Sequence, residues 1–294
     1  MGQFLVDVAL PLILAFIMAT LGLGLRPADF TRVLAVPRAF GVGFVNQMLF
    51  LPVVGFALAA TLGLGPELAV GLVILALCPG GVTTNLLTKI GGGNVALSIT
   101  LTAVVTMVSV ATLPWLLGFS VGFFLGGEDG AAPPPVDTAA LSVAIFAMTL
   151  APVALGMGLR AAAPEFTDRA APTLNRLAVI FFALIVLAAI ATNWATLVEN
   201  IGRLGPATAG LMAVMMVVGT VTARLAGLNR ADETTVVIET GVQNSTLGIA
   251  VAAILAAQLG GSGEGFSPYA LPAAAYGVLM YLLAVPFALW RRRG

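Results

Sequence analysis

Runs of apolar residues, each close to the ~20 needed to cross a bilayer as a helix, follow one another along the chain with only short breaks. Nine candidates stand out, at about residues 4–25, 39–62, 67–88, 94–117, 139–159, 172–193, 206–226, 232–258 and 268–290. The turns between them are rich in Gly, Pro and charge. The longest, from Gly126 to Pro135, is acidic and Pro-rich, as an exposed loop is. The pattern predicts an all-α polytopic membrane protein with nine transmembrane helices in a single unit covering residues 1–294.

Two of the runs are not uniformly apolar. The third contains Cys78-Pro79-Gly80-Gly81-Val82-Thr83-Thr84-Asn85, and the eighth contains Glu239-Thr240-Gly241-Val242-Gln243-Asn244-Ser245-Thr246. Pro79 removes a backbone donor and the Gly pair weakens a helix. Freed backbone groups at membrane depth are tolerated only when buried in protein or lining a wet cavity. The third and eighth spans lie five apart and so run in opposite senses. That is the relation expected of inverted repeats whose discontinuous helices meet at the bilayer midplane. The chain divides as four spans plus five, so the first repeat is one helix short.

Composition narrows the class. The chain is 60% hydrophobic and 9% charged, against about 45–50% and about 25% in soluble domains, which excludes most soluble folds. A net charge of zero gives no basic surface for nucleic acid. There is no His for a metal site, a proton relay or a catalytic triad, and the single Cys78 cannot form an internal disulfide. The first positive charge, Arg26, follows the first apolar run, which is therefore read as a retained span and not a signal peptide. Of the 13 basic residues, all but Arg203 fall on one side of a nine-span layout. By the positive-inside rule that side is cytoplasmic, with the N-terminus outside and the C-terminus inside. An integral protein of the cell (inner) membrane is expected, with the lipid bilayer as surroundings and no obligate protein partner.

A carboxylate near the bilayer centre costs roughly 2.5–3.5 kcal/mol on insertion scales, so Glu239 needs a counterpart. It could be a protonated structural acid, a proton-coupling acid or a cation ligand. The neighbouring side-chain and carbonyl oxygens suit a hard cation. Ser98 and Thr102, four residues apart, share a helix face; they either bond their own i−4 carbonyls or face the site. Asn94 reads as an N-cap after Gly91-Gly92-Gly93. Asn46-Gln47 supplies two amides in apolar surroundings, as helix–helix glue or as ion ligands.

These residues resemble the bile acid:sodium symporter (BASS) family. The resemblance is carried by the Cys78–Asn85 motif, by Gly93-Asn94-Val95-Ala96-Leu97-Ser98 and by Glu239–Ser245, and it extends over the chain from Gly22-Leu23-Gly24-Leu25-Arg26-Pro27-Ala28-Asp29-Phe30. It implies a panel domain, from about 4–25 and 139–193, and a core domain, from about 39–117 and 206–290, with the two broken helices crossing in the core. It also implies two sodium ions. The first would be held by Thr84, Asn85, Ser98, Thr102 and Glu239, the second by Gln47, Glu239, Thr240, Val242 and Gln243, with Thr240 and Val242 contributing backbone carbonyls. The chain begins at what looks like the second helix of ten-span relatives. Solute contacts are expected from Asn244, Thr83 and Val82. Bacterial relatives often have Thr where this chain has Val82, and Met280-Tyr281 replaces a polar pair of some relatives, so the family label does not identify the solute.

The expected function is sodium-coupled symport of a small organic anion by alternating access. The alternative is a metalloid oxyanion exporter of a related fold using Cys78 and Glu239. An intramembrane enzyme is disfavoured, because no nucleophile–base pair or paired acids are present. A passive channel is disfavoured too, because channels use charged rings or carbonyl filters.

Overall fold

A computed structural model describes residues 8–31, 36–126, 135–260 and 266–293, with only the backbone of Thr31 and Val82. Among the described residues all regular structure is helical. In chain order the helices are α1 (Leu10–Gly24), the short α2 (Pro27–Thr31), α3 (Pro37–Thr61), α4 (Pro66–Leu77), α5 (Val82–Ile90) and α6 (Val95–Leu125). There follow α7 (Thr138–Ala162, interrupted at Thr149), α8 (Pro164–Thr192), α9 (Trp194–Leu225), α10 (Arg230–Gly241), α11 (Ser245–Gln258) and α12 (Leu271–Arg293). Seven segments of the described chain are long and apolar enough to cross a membrane, counting α10 and α11 together as one. Leu10–Gly24 and Pro66–Leu77 are shorter apolar helices. This is an integral, polytopic membrane protein.

The local chemistry sets most helix ends. Pro37, Pro66 and Pro164 occupy first-turn positions, where the missing N–H would have had no helical partner. Asn94 caps α6 as expected, its Oδ1 accepting from Leu97 N at 3.1 Å. Gly92, at φ +68°, makes the left-handed turn between α5 and α6 that other side chains resist.

Three boundaries differ from the sequence reading. The sixth and seventh spans were placed from Pro172 and near Pro206, yet α8 and α9 run through both prolines, and α6 runs through Pro114 to Leu125. A proline removes one helical hydrogen bond, but in long apolar helices neighbouring groups accommodate the freed carbonyl. Proline was therefore a poor end-marker here. The 127–134 part of the acidic loop lies outside the described residues, as do residues 4–7 of the first span.

The broken segments form the centre. Of the most apolar stretch of Arg230–Gln258, 83% is buried within the protein, against 22% for Pro164–Thr192. Thus α10 and α11 are enclosed by other helices while α8 is peripheral. Helix α4 is buried from Leu68 to Leu77 and packs on α3, α6, α11 and α12. On one flank α1, α7 and α8 pack mainly on one another. There α1 and α7 approach at backbone distance: a Cβ on Gly22 would strike the Val153 carbonyl, and one on Gly156 the Ala19 carbonyl. Small residues at such crossings let helices associate in lipid, where apolar burial gives no drive.

Gly156→Leu is therefore expected to lower the melting temperature in detergent, because overpacking costs about 1–3 kcal/mol. Gly158→Leu, whose Cβ meets nothing within 4 Å, should leave it unchanged. Equal effects would contradict the close contact.

Candidate ion and solute site

The two breaks touch. Helix α4 ends at Cys78, α5 begins at Val82, α10 ends at Gly241 and α11 begins at Ser245. Asn244 N–H donates to the Pro79 carbonyl at 2.9 Å, so one break satisfies backbone freed by the other. Further bonds hold each break open. The Thr84 hydroxyl donates to the Gly81 carbonyl at 2.7 Å, Gln243 Nε2 donates to the Thr240 carbonyl at 2.9 Å, and the Tyr276 hydroxyl donates to the Gly241 carbonyl.

Glu239 is fully buried beside these breaks. The Ser98 hydroxyl donates to its Oε1, and the Thr102 hydroxyl lies 3.2 and 3.0 Å from its two carboxylate oxygens. Gln47 Nε2 donates to the Glu239 backbone carbonyl at 2.8 Å and approaches Oε2 at 3.4 Å. Other hydroxyls of α6 behave differently: those of Thr100, Thr106, Ser109, Thr112 and Ser120 each bond the carbonyl four residues back. Ser98 and Thr102 instead turn toward the acid. Asn46 and Gln47 are both buried because α3 passes through a π-helical turn at Asn46–Phe50. Such turns recur at functional sites.

Oxygen is in excess around the carboxylate. Ser98 Oγ lies 2.8 Å from Asn85 Oδ1 as well as against Glu239, yet a hydroxyl carries one proton. Gln47 Oε1, Gln243 Oε1 and Asn46 Oδ1 are buried with no hydrogen-bond partner. A buried acceptor left unpaired costs about 1–3 kcal/mol, and native structures hold few. Three amide oxygens without donors, on residues bonded to Glu239 or Thr240, make a donor set fit for a hard cation.

Thr84, Asn85, Ser98, Thr102 and Glu239 thus come together, joined by the contacts above and by Thr84 Oγ1 at 3.4 Å from Thr102 Oγ1. Of the second expected set, Gln47 bonds Glu239 and Gln243 bonds the Thr240 carbonyl, while Val242 lies in the break itself. Sequence reasoning left Asn46 between two roles. Its Nδ2 bonds Thr222 and Thr240 at 2.9 and 3.3 Å, joining α3 to α9 and α10, while its Oδ1 stays free. It missed Tyr276, which reads as one more aromatic in an apolar span, and it read Gly80 only as weakening the helix, not as the space beside the carboxylate.

A cavity of about 350 Å³ adjoins the breaks, bounded by α1 and α8 on one side and by α5, α11 and α12 on the other. Asn244 and Thr83, the expected solute contacts, line it, as do Met280 and Tyr281. Asn244 Oδ1 caps α11 by accepting from Leu247 N at 3.0 Å, so its amide nitrogen is the group left for a solute. Val82 opens α5, and its side chain lies outside the described residues.

Fold and site together define a polytopic membrane protein with an oxygen-lined buried acid between two helix breaks and a crevice beside it. The chain belongs to the Sodium Bile acid symporter family, whose profile matches residues 11–200. That family is one of sodium-coupled transporters and not of enzymes. The chain is 32% identical over 81% of its length to the probable sodium/metabolite cotransporter BASS2, chloroplastic, of Oryza sativa subsp. japonica, covering 55% of that protein. It is 28% identical over 81% of its length to the uncharacterized sodium-dependent transporter YocS of Bacillus subtilis, covering 72% of it. It is likewise 28% identical over 81% of its length to the mouse ileal sodium/bile acid cotransporter, covering 67% of it. The chain thus spans little more than half the length of the rice relative.

Proposed function

We propose that this protein is a sodium-coupled symporter of a small organic anion working by alternating access. The observation that carries the reading is the fully buried Glu239 carboxylate together with donor-free amide oxygens on Gln47, which bonds Glu239, and on Gln243, which bonds the Thr240 carbonyl. In this reading two sodium ions share Glu239: one with Thr84, Asn85, Ser98 and Thr102, the other with Gln47, Gln243 and the carbonyls of Thr240 and Val242. The solute lies in the crevice against Asn244, Thr83 and Val82. Nine spans follow when α1 and the α4–α5 pair count as crossings. The α4–α5 and α10–α11 pairs are then the crossing, inverted-repeat elements. The flank of α1, α7 and α8 is the panel and the remainder the core.

Arg160 bonds the Leu23 carbonyl, Arg224 and Arg291 pair with Glu233, and Arg230 bonds the Arg291 carbonyl. Arg203 instead bonds the Gly63 carbonyl. The end with most of the arginines is taken as cytoplasmic in a cell membrane, which puts the C-terminus inside and the N-terminus outside. The crevice reaches that end through Gly24, Lys89 and Asn175, an inward-open arrangement. Sodium orders the breaks and the solute then binds better, a linkage of about 1–3 kcal/mol.

Cys78, the centre of the metalloid alternative, donates to the Ile74 carbonyl at 3.2 Å. Among the described residues it joins no cluster of His, Cys, Asp or Glu fit for a metal, so no observation favours that reading. Purified protein should melt at a higher temperature in sodium than in equimolar potassium, since a ligand of the native state stabilises it. Identical melting in the two salts at every concentration would overturn the proposal.

A further inference from the structure

Helix α5 sorts its side chains. Thr84, Leu87 and Thr88 are buried against the core, whereas Thr83, Leu86 and Lys89 recur every third residue and line the crevice. Six residues at 1.5 Å each put Lys89 about 9 Å along the axis from Thr83, so the row runs from the break to the far end of the cavity. Among the described residues Lys89 is the one charged member of the lining, which there holds no carboxylate. The ammonium is exposed and takes part in none of the ion pairs among the described residues. Apolar atoms make up most of the remaining wall, with Ile17, Leu86, Ile99, Val179 and Phe182 among the residues that present it.

Two ordinary roles leave something over. A Lys in a last helical turn complements the helix dipole by about 0.3–1 kcal/mol, but that asks nothing of the crevice. A topogenic role is redundant beside the arginines at the same end. A lone cation at one end of an apolar cleft has another consequence: low-dielectric walls focus its field on what enters.

We propose that Lys89 is the counter-charge for the transported solute and selects a monocarboxylate with an apolar body. The carboxylate sits against the ammonium at the mouth. The apolar body lies along Leu86 and Phe182 toward the breaks, where the amide of Asn244 takes any further polar group. This rests on the reading of the crevice as an organic-anion site and adds the residue that sets charge and polarity.

The test uses Val179, on α8 across the crevice and half exposed, as a reporter. Cys78 is buried, so Val179→Cys supplies the reactive thiol. In uncharged maltoside detergent, free of lipid phosphate, its modification by anionic and cationic methanethiosulfonates is compared, each normalised to a free thiol. The anionic-to-cationic ratio should fall about fivefold in Lys89→Gln, the scale of one partly screened charge pair, and be restored in Lys89→Arg. In sodium, 4-phenylbutyrate should protect the thiol and its amide should not. That protection should weaken by about the same factor in Lys89→Gln and return in Lys89→Arg. An unchanged ratio, equal protection by acid and amide, or no protection by the acid overturns the proposal. Sodium-dependent melting of the same preparations separates the two readings. If sodium stabilises the protein and Lys89→Gln changes nothing, only this inference falls; if sodium never stabilises it, the symporter reading falls by itself.

Discussion

Glu239→Gln is expected to abolish the response to sodium while leaving the protein folded. The substitution keeps shape and hydrogen-bonding capacity. The Ser98 and Thr102 hydroxyls can accept from the new amide, and Gln47 keeps its 2.8 Å bond to the backbone carbonyl of residue 239. What disappears is the negative charge that both proposed ions share. Removing one partner of a buried charge pair costs about 3–5 kcal/mol, which corresponds to a loss of about two to four orders of magnitude in sodium affinity. The melting temperature in potassium should be at least as high as that of the native protein, because a buried charge without a counter-ion is itself destabilising. Sodium-dependent uptake into proteoliposomes should vanish together with the sodium shift. A mutant that still melts higher in sodium by the native amount would show that the ion binds elsewhere.

Gly80→Ala should mimic that loss without replacing a ligand. A Cβ on Gly80 would stand 2.7 Å from Glu239 Oε2 and 3.5 Å from both Thr102 Oγ1 and Thr84 Cγ2. The carboxylate has nowhere to retreat, since Gln47, Ser98 and Thr102 already hold it. Gly80 does not have a positive φ, so space, and not backbone freedom, is the constraint. Overpacking of this kind costs about 1–3 kcal/mol, and charged to the sodium-competent arrangement it weakens binding by about 5- to 150-fold. Its neighbour is the control. A Cβ on Gly81 meets Asn244 no closer than 3.7 Å, an ordinary contact, so Gly81→Ala should keep its sodium shift. The comparison is made on sodium titrations of melting temperature, and equal loss in both variants would contradict the geometry.

The polar cluster around Glu239 was legible in the sequence because a membrane leaves so few reasons for polar residues. Glu239, Gln47, Ser98, Thr102 and the Thr84-Asn85 pair each stand out against apolar neighbours, and each lies in the observed cluster. Thr106 and Ser109 stand out equally, yet they only bond their own helix. Nothing in spacing separates them from Ser98 and Thr102, because the difference is which face of α6 meets α10. Tyr276 was not legible at all, and Gly80 was legible only as half of a pair that weakens the helix. One is an aromatic among apolar residues, and the other a glycine whose meaning is the carboxylate that comes to lie beside it. Proline misled in the opposite direction: Pro172 and Pro206 read as helix starts, while the long helices simply continue through them.

The order of residues by itself determined the membrane class, the apolar segments, the two helix breaks and the need for something to balance a buried acid. Those follow from hydrophobic length, from proline and glycine geometry and from the cost of charge in lipid, all of which act locally. Only the tertiary structure decided that the breaks bond one another, that three amide oxygens face inward without donors, and that a single lysine overlooks an apolar crevice. Such facts depend on residues far apart in the chain becoming neighbours, as Asn244 and Pro79 or Gln47 and Glu239 do, and nothing local to either segment says which partner it will meet.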